Sequence, residues 1–246
     1  MPRSSTDPER PGQGDRGQGE TGSEQSGAGH RQRLRARFLK GGPAALADYE
    51  LLELTLFGAD ARRDVKPLAK ALLKRFGGFA QAISADPHSL REVEGVGDAA
   101  IAQIKAIEAA AQLLVRTEVL NKPVISSWDR LIEYCHSRIA RSAIEQFMVI
   151  YLDRKNRLID DEIQQRGSID HTPVYPREVV RRALELKASA VILVHNHPSG
   201  DATPSRADIE MTKEVKQAVA SVGMSLHDHL IISSTGHQSF KTLGLL

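Results

Sequence analysis

A single cysteine, Cys135, occurs among the 246 residues of the chain. That excludes an internal disulfide and a cysteine-based zinc finger, and it fits a reducing cytosol. Cys135 itself reads as a small buried apolar side chain. Long apolar runs are missing too: none approaches the ~20 residues that span a bilayer. The N-terminus has no hydrophobic signal core, so a soluble, cytoplasmic protein with no membrane partner is expected. Net charge is low. A balance of +2 does not imply a polyanion partner, so any nucleic-acid contact has to come from local clustering. Although only 4% of residues are aromatic, 41% are hydrophobic, enough for one large domain or two smaller ones with real cores. The two-domain reading is taken.

Residues 1–29 are rich in Gly, Ser, Gln, Pro, Glu and Arg with almost no apolar side chains. Such a stretch cannot offset the entropy of ordering and reads as a disordered tail. From His30 to Gly42 the character changes. Arg31, Arg33, Arg35, Arg37 and Lys40 occur with no acid among them, and Leu34, Phe38 and Leu39 form a narrow apolar stripe at helical spacing. This is either a phosphate-contacting basic helix or a solvated one docking its Leu/Phe side. Asp48–Phe57, Asp64–Phe76 and Asp86–Val93 each open on an Asp suited to capping and continue with apolar residues at helical spacing. Pro67 falls in a first turn, and Gly77-Gly78 stops the second of these helices.

The stretch Leu90–Ile104 reads as a helix-hairpin-helix around Gly95-Val96-Gly97. Such a turn can aim backbone N–H groups at a phosphate. Asp98 at its mouth would repel that ligand unless it serves as a helix cap, and no Lys or Arg follows until Lys105. A structural hairpin is therefore the first reading, and sequence-independent DNA binding through Gly95, Gly97 and the Arg31–Lys40 cluster the second. The helical domain is set at 30–116, a linker with Lys122-Pro123 at 117–127, and a second domain at 128–246.

In that second domain Trp128–Arg141 reads as a helix. Glu145–Asp153 and Leu158–Ile163 read as strands joined at Arg154–Asn156, and Gln164–Val174 continues or adds a strand. Pro176–Lys187 is a helix leading into the strand Ala190–Val194; a helix at Asp208–Val222 and strands at Leu230–Ser233 and Ser239–Lys241 follow. The order predicts an α/β sandwich with mixed strand direction.

The chemistry concentrates in Ala190–Asp208. An apolar strand ends in His195 and His197, which share one face because strand side chains alternate with a period of two. Pro198, Gly200 and Pro204 stiffen the turn that follows. Two imidazoles and the carboxylate of Asp208 suit a catalytic zinc, which takes three protein ligands and leaves a fourth position for water. Ser205 and Asp208 could equally be a capping pair, or Thr203 the cap with Pro204 behind it. His227-Asp228-His229 is a second His-x-His; lacking the stiff turn and a second carboxylate, it reads as supporting or surface histidines rather than ligands.

The spacing His195-x-His197, seven residues, Ser205, two residues, Asp208 resembles the signature of the JAMM (MPN-type) metalloproteases. The longer string from His195 to Asp208 is closer still to the bacterial RadC family (UPF0758). The resemblance runs from about Gly29 to the end. It implies a C-terminal domain of the cytidine-deaminase-like JAMM/MPN fold behind an all-helical N-terminal bundle, hence an α+β two-domain protein. It also implies Zn2+, peptide or isopeptide hydrolysis of a protein or peptide substrate, Ser205 as hydrogen-bond donor to an oxyanion, and a glutamate base just ahead of an early central strand. Glu145 occupies that place; Glu178 is the competitor. Asn196 stands where the eukaryotic branch usually has Ser. A DNA-associated accessory protein is the second reading, and a zinc nuclease the last.

Overall fold

A computed structural model describes residues 21–120, 123–166 and 174–246. The expectations for residues 1–20, for Lys122 and for 167–173, His171 included, fall outside these.

The N-terminal unit is helical. Helix α1, Thr21–Gly41, begins nine residues ahead of His30, and its docked part starts there, where His30 Nε2 meets Glu53 Oε1 at 2.7 Å. Leu34 is fully buried, whereas Leu39, expected on the same stripe, is 84% exposed. Helices α2 (Asp48–Leu56), α3 (Lys66–Phe76), α4 (Phe79–Ser84), α5 (Pro87–Arg91) and α6 (Asp98–Val119) follow. Leu34, Leu52, Leu56, Leu72, Leu90 and Ile104 meet in their common core.

Of the expected caps only Asp86 holds, its Oδ1 accepting from the N–H groups of His88 and Ser89. Asp48 instead accepts from Phe79 N, 31 residues on, so its carboxylate ties α2 to the start of α4. Asp64 closes a turn one residue too early, and Asp98 lies inside α6, for which Gly97 is the N-cap.

Helix α6 does not stop at 116. It runs to Val119, which is fully buried with Val124 and Leu131 in the core of the second unit, so the start of the expected linker is helical and packed. That unit opens with α7, Trp128–Ile139, and continues with strands β1 (Gln146–Leu152) and β2 (Leu158–Arg166), helix α8 (Pro176–Glu185), β3 (Ala190–Asn196), α9 (Arg206–Ser221), β4 (Ser225–Ile232) and β5 (His237–Ser239). The sheet order is β2-β1-β3-β4-β5, with β3 and β4 parallel and the other pairs antiparallel. This is the mixed five-stranded sheet of an α+β protein.

Period-two alternation divides the core in two. Met148, Ile150, Ile192 and Val194 face α7, while Phe147, Val149, Val191 and Leu193 face α8 and α9. Along β3 the odd positions lead to His195 on the α8/α9 side, and the even ones to Asn196 on the other. Strand β4 begins five residues before the expected Leu230, so His227 and His229 lie within a central strand rather than at its entrance.

Candidate metal centre

Strand β3 delivers His195 fully buried at its end, and the chain leaves the sheet at His197, whose N–H still bonds Ile232 O at 2.9 Å. The turn beyond is built as its residues suggest: Gly200 has φ of 89°, a left-handed conformation that glycine tolerates, and its N–H returns to His197 O at 3.1 Å. The next carbonyl, Asp201 O, stands 2.7 Å from His197 Nδ1. A carbonyl only accepts, so Nδ1 carries the proton and a neutral His197 presents a bare Nε2.

Helix α9 starts at Arg206 and brings in Asp208. Ser205 is its N-cap, and a reciprocal capping box forms: Ser205 Oγ accepts from Asp208 N at 3.1 Å, and Asp208 Oδ2 accepts from Ser205 N at 2.7 Å. The serine hydroxyl also donates to Asp208 Oδ2 at 2.7 Å. Capping and metal-ligating geometry thus coexist in one carboxylate, because its Oδ1 is turned inward. His195 Nε2 is 3.0 Å from His197 Nε2 and 3.3 Å from Asp208 Oδ1, while His197 Nε2 is 3.6 Å from Asp208 Oδ2. Ligand atoms about 2 Å from a tetrahedral ion stand about 3.3 Å from one another. The two imidazoles approach each other and one oxygen each of the Asp208 carboxylate at distances near that value, and a donor set of two imidazole nitrogens and a carboxylate suits zinc. Among the described residues this is the one such group of three.

The electrostatics couple Asp208 to the two imidazoles. Burial works against ionising Asp208, but the hydrogen bonds of His195 and His197, the charge of His195 and the Ser205 hydroxyl outweigh it and hold the carboxyl far below its usual range. His197 is raised, first by Asp208 acting against burial, then by the Asp201 carbonyl and the charges of Asp208 and Glu145.

Glu145 is half-buried immediately ahead of β1. The antiparallel register pairs Phe147 with His195, and continued past the strand ends it sets Glu145 level with His197. Asn196 holds this segment in place. Fully buried on the opposite face from the histidines, its Oδ1 accepts from Gln146 N at 2.8 Å and its Nδ2 donates to Ile144 O at 3.2 Å. Glu178 lies elsewhere, on the exposed side of α8, with Arg181 at 3.1 Å and Arg177 at 3.5 Å.

His229 is not among the converging ligands. It is fully buried, with Nε2 at 2.8 Å from His195 Nδ1 and Nδ1 at 2.6 Å from Thr212 Oγ1. Burial pushes its pKa well below the ordinary value, with the charge of His195 acting in the same direction. His227, which the register shift between β3 and β4 leaves unpaired, instead meets Asn156 Oδ1 at 2.6 Å in the turn between β1 and β2. Sequence reading missed Thr212 altogether; its signal was the spacing of four from Asp208, which puts both on one face of α9. It also left Asn196 without a partner, since the anchoring contacts span 50 residues of chain.

Residues 125–245 match the family described as the RadC-like JAB domain, and residues 28–102 match the UPF0758 N-terminal family. A UPF0758 protein of Rhodobacter capsulatus is 58% identical over 213 residues, which cover 87% of this chain and all of that one. Another, from Ruegeria pomeroyi, is 57% identical over 217 residues, covering 88% of this chain and 97% of its own.

Proposed function

Since the chain belongs to the UPF0758 family, whose C-terminal half is a RadC-like JAB domain, we propose that it is a zinc-dependent hydrolase of the JAMM type that cleaves a peptide or isopeptide bond. The observation that carries this reading is the convergence of His195 Nε2, His197 Nε2 and the Asp208 carboxylate, each with an atom within 3.6 Å of the others. These three side chains would hold the ion, which when bound would supply Lewis acidity to a water and to a carbonyl.

The remaining work falls to the protein. Glu145, level with His197 and free of any ion pair among the described residues, takes the proton released as the nucleophile forms and delivers it to the departing amine. Asn196 keeps that carboxylate on station through the backbone on either side of it. Ser205 is the candidate donor to the oxyanion, a contact worth about 3 kcal/mol in comparable enzymes. In this structure its hydroxyl is committed to Asp208 Oδ2, so the role requires the hydroxyl to rotate away when substrate arrives.

Elemental analysis of the purified protein beside His195→Ala/His197→Ala is the test. About one zinc per wild-type chain and none in the variant is expected. Glu145→Gln then keeps the metal and loses turnover of peptide or isopeptide substrates, while Glu178→Gln changes neither. Absence of stoichiometric metal after zinc is supplied overturns the hydrolase reading.

One observation favours DNA association of the N-terminal half as a second reading. Arg63 lies against the Gly95 turn, its guanidinium 2.8 Å from where a Cβ would stand, and Arg31 bonds Arg63 O while stacking on Phe57. Asp98, the acid that would repel a phosphate, is paired with Arg91 at 2.7 Å. A basic group thus does stand at the turn, although none follows it in sequence. Binding to duplex DNA that weakens steeply between low and moderate salt, and is lost in Arg31→Ala/Arg63→Ala, is the expected outcome; no salt-dependent binding would dismiss it.

A further inference from the structure

Strands β3 and β4 contribute one member each, and helix α9 two, to a closed ring of contacts at the candidate ion site. Thr212 Oγ1 lies 2.5 Å from Asp208 O and 2.6 Å from His229 Nδ1; His229 Nε2 lies 2.8 Å from His195 Nδ1; and His195 Nε2 returns to within 3.3 Å of Asp208 Oδ1.

The ring has a polarity that can be derived from its one unambiguous member. Asp208 O is a carbonyl and cannot donate, so the single hydroxyl proton of Thr212 points to it. Thr212 Oγ1 can then only accept from His229, which puts the proton of His229 on Nδ1. His229 is fully buried, and the partners of its ring nitrogens are a hydroxyl and an imidazole, the nearby Asp228 carboxylate bonding its backbone N–H instead, so the ring is neutral. Its Nε2 is consequently an acceptor, and His195 must donate from Nδ1. In a neutral His195, the form that can bind an ion, the one lone pair left is at Nε2, directed at His197 and Asp208.

We propose that His229 and Thr212 are positioning residues that fix His195 in the Nδ1–H tautomer, so that its Nε2 lone pair is always presented to the ion. The inference rests on the reading of His195 as a metal ligand. It assigns the second His-x-His of the sequence a purpose distinct from ligation, and it makes a buried helix threonine part of the metal centre without touching the metal. Conserving the hydroxyl matters more than conserving the volume: Thr212→Val keeps the shape but leaves His229 Nδ1–H without an acceptor. The chain of donors can then reverse, with His229 Nε2–H donating to His195 and His195 Nε2–H donating to Asp208, which closes the ligand position.

The test is long-range 1H–15N NMR of the histidine side chains in the full, metal-free chain, followed by zinc titration against a competing chelator. In the wild type, His195 and His229 should both show the Nδ1–H pattern. Thr212→Val should show Nε2–H on His195 and bind zinc roughly 10- to 100-fold more weakly, and Thr212→Ser should restore both. A folded Thr212→Val chain with the wild-type tautomer and wild-type zinc affinity overturns the proposal, as does an Nε2–H signal from His195 in the wild type. Because the tautomer is read without metal, a wild-type chain that takes up no zinc defeats the hydrolase reading alone and is distinguishable from failure of the relay.

Discussion

Arg116, near the end of α6, donates from Nε to Asp161 Oδ1 at 3.0 Å, and so joins the helical unit to the outermost strand of the sheet. Asp161 is buried and takes a second arginine, Arg138 of α7, at 3.2 Å, while Arg116 reaches Asp160 at 2.9 Å. One buried carboxylate therefore anchors two cations from two helices. Asp161→Ala removes the carboxylate these guanidinium groups share, leaving Arg116 with Asp160 and Arg138 with Gln112, and should destabilise the protein by about 1–3 kcal/mol. Urea unfolding followed through the fluorescence of Trp128 on α7 measures it. An unchanged midpoint would mean that solvent serves these arginines as well as Asp161 does.

Asn196→Ala should separate metal binding from catalysis. Its amide holds the backbone on both sides of Glu145 but faces away from the ligands. Zinc content should stay at the wild-type level while turnover falls by at least tenfold, the outcome expected when a base is displaced by about an ångström. Loss of zinc in this variant would show that the segment supports the ligands themselves.

Ser205→Ala and Asp208→Ala remove the two halves of one capping box. Each should cost about 1 kcal/mol of stability, but only Asp208→Ala should abolish zinc uptake. Melting curves with and without excess zinc resolve the two effects, since ligand at a hundred times its Kd adds about 2.7 kcal/mol to the folded state. Equal zinc-induced stabilisation of both variants would remove Asp208 from the ligand set.

Acid should loosen the first helix. Arg37 hydrogen-bonds Glu50 at 2.7 Å and, with the Ala47 N–H, holds its carboxyl below the ordinary value against the effect of burial. A depressed folded-state pKa gives stability that is present above the unfolded value, about 4.3, and is lost as pH falls through the folded one. The melting temperature should therefore fall more steeply below about pH 4.3 in the wild type than in Glu50→Gln. Parallel curves for the two proteins would assign the acid sensitivity to other carboxylates.

How much of this was legible depended on the distance over which each feature is determined. His195, His197, Ser205 and Asp208 are brought together by a strand end, a stiff turn and a helix start, all local, and the sequence pattern placed them together. The buried Cys135 and the alternation along β3 were legible for the same reason. Caps were poorly read, because Asp48 binds a helix 31 residues away and Asp98 pairs with Arg91 instead. The start of β4 was missed because its first residues, Ser225–His229, mix polar and apolar side chains, a pattern that a buried central strand does not usually show. The contacts of Asn196 with the chain around Glu145 and of Thr212 with His229 stayed silent for a deeper reason: they are set by strand register and helix packing, which no local spacing encodes.

The three candidate ligands lie within fourteen residues of one another, whereas Glu145 is separated from His195 by 50. Closing the short loop costs little chain entropy, and closing the long one requires β1 to pair with β3 first. During folding, therefore, the three candidate ligands are already neighbours along the chain before the pairing of β1 with β3 brings Glu145 level with them, so the last part of the site to assemble is the part that depends on the sheet.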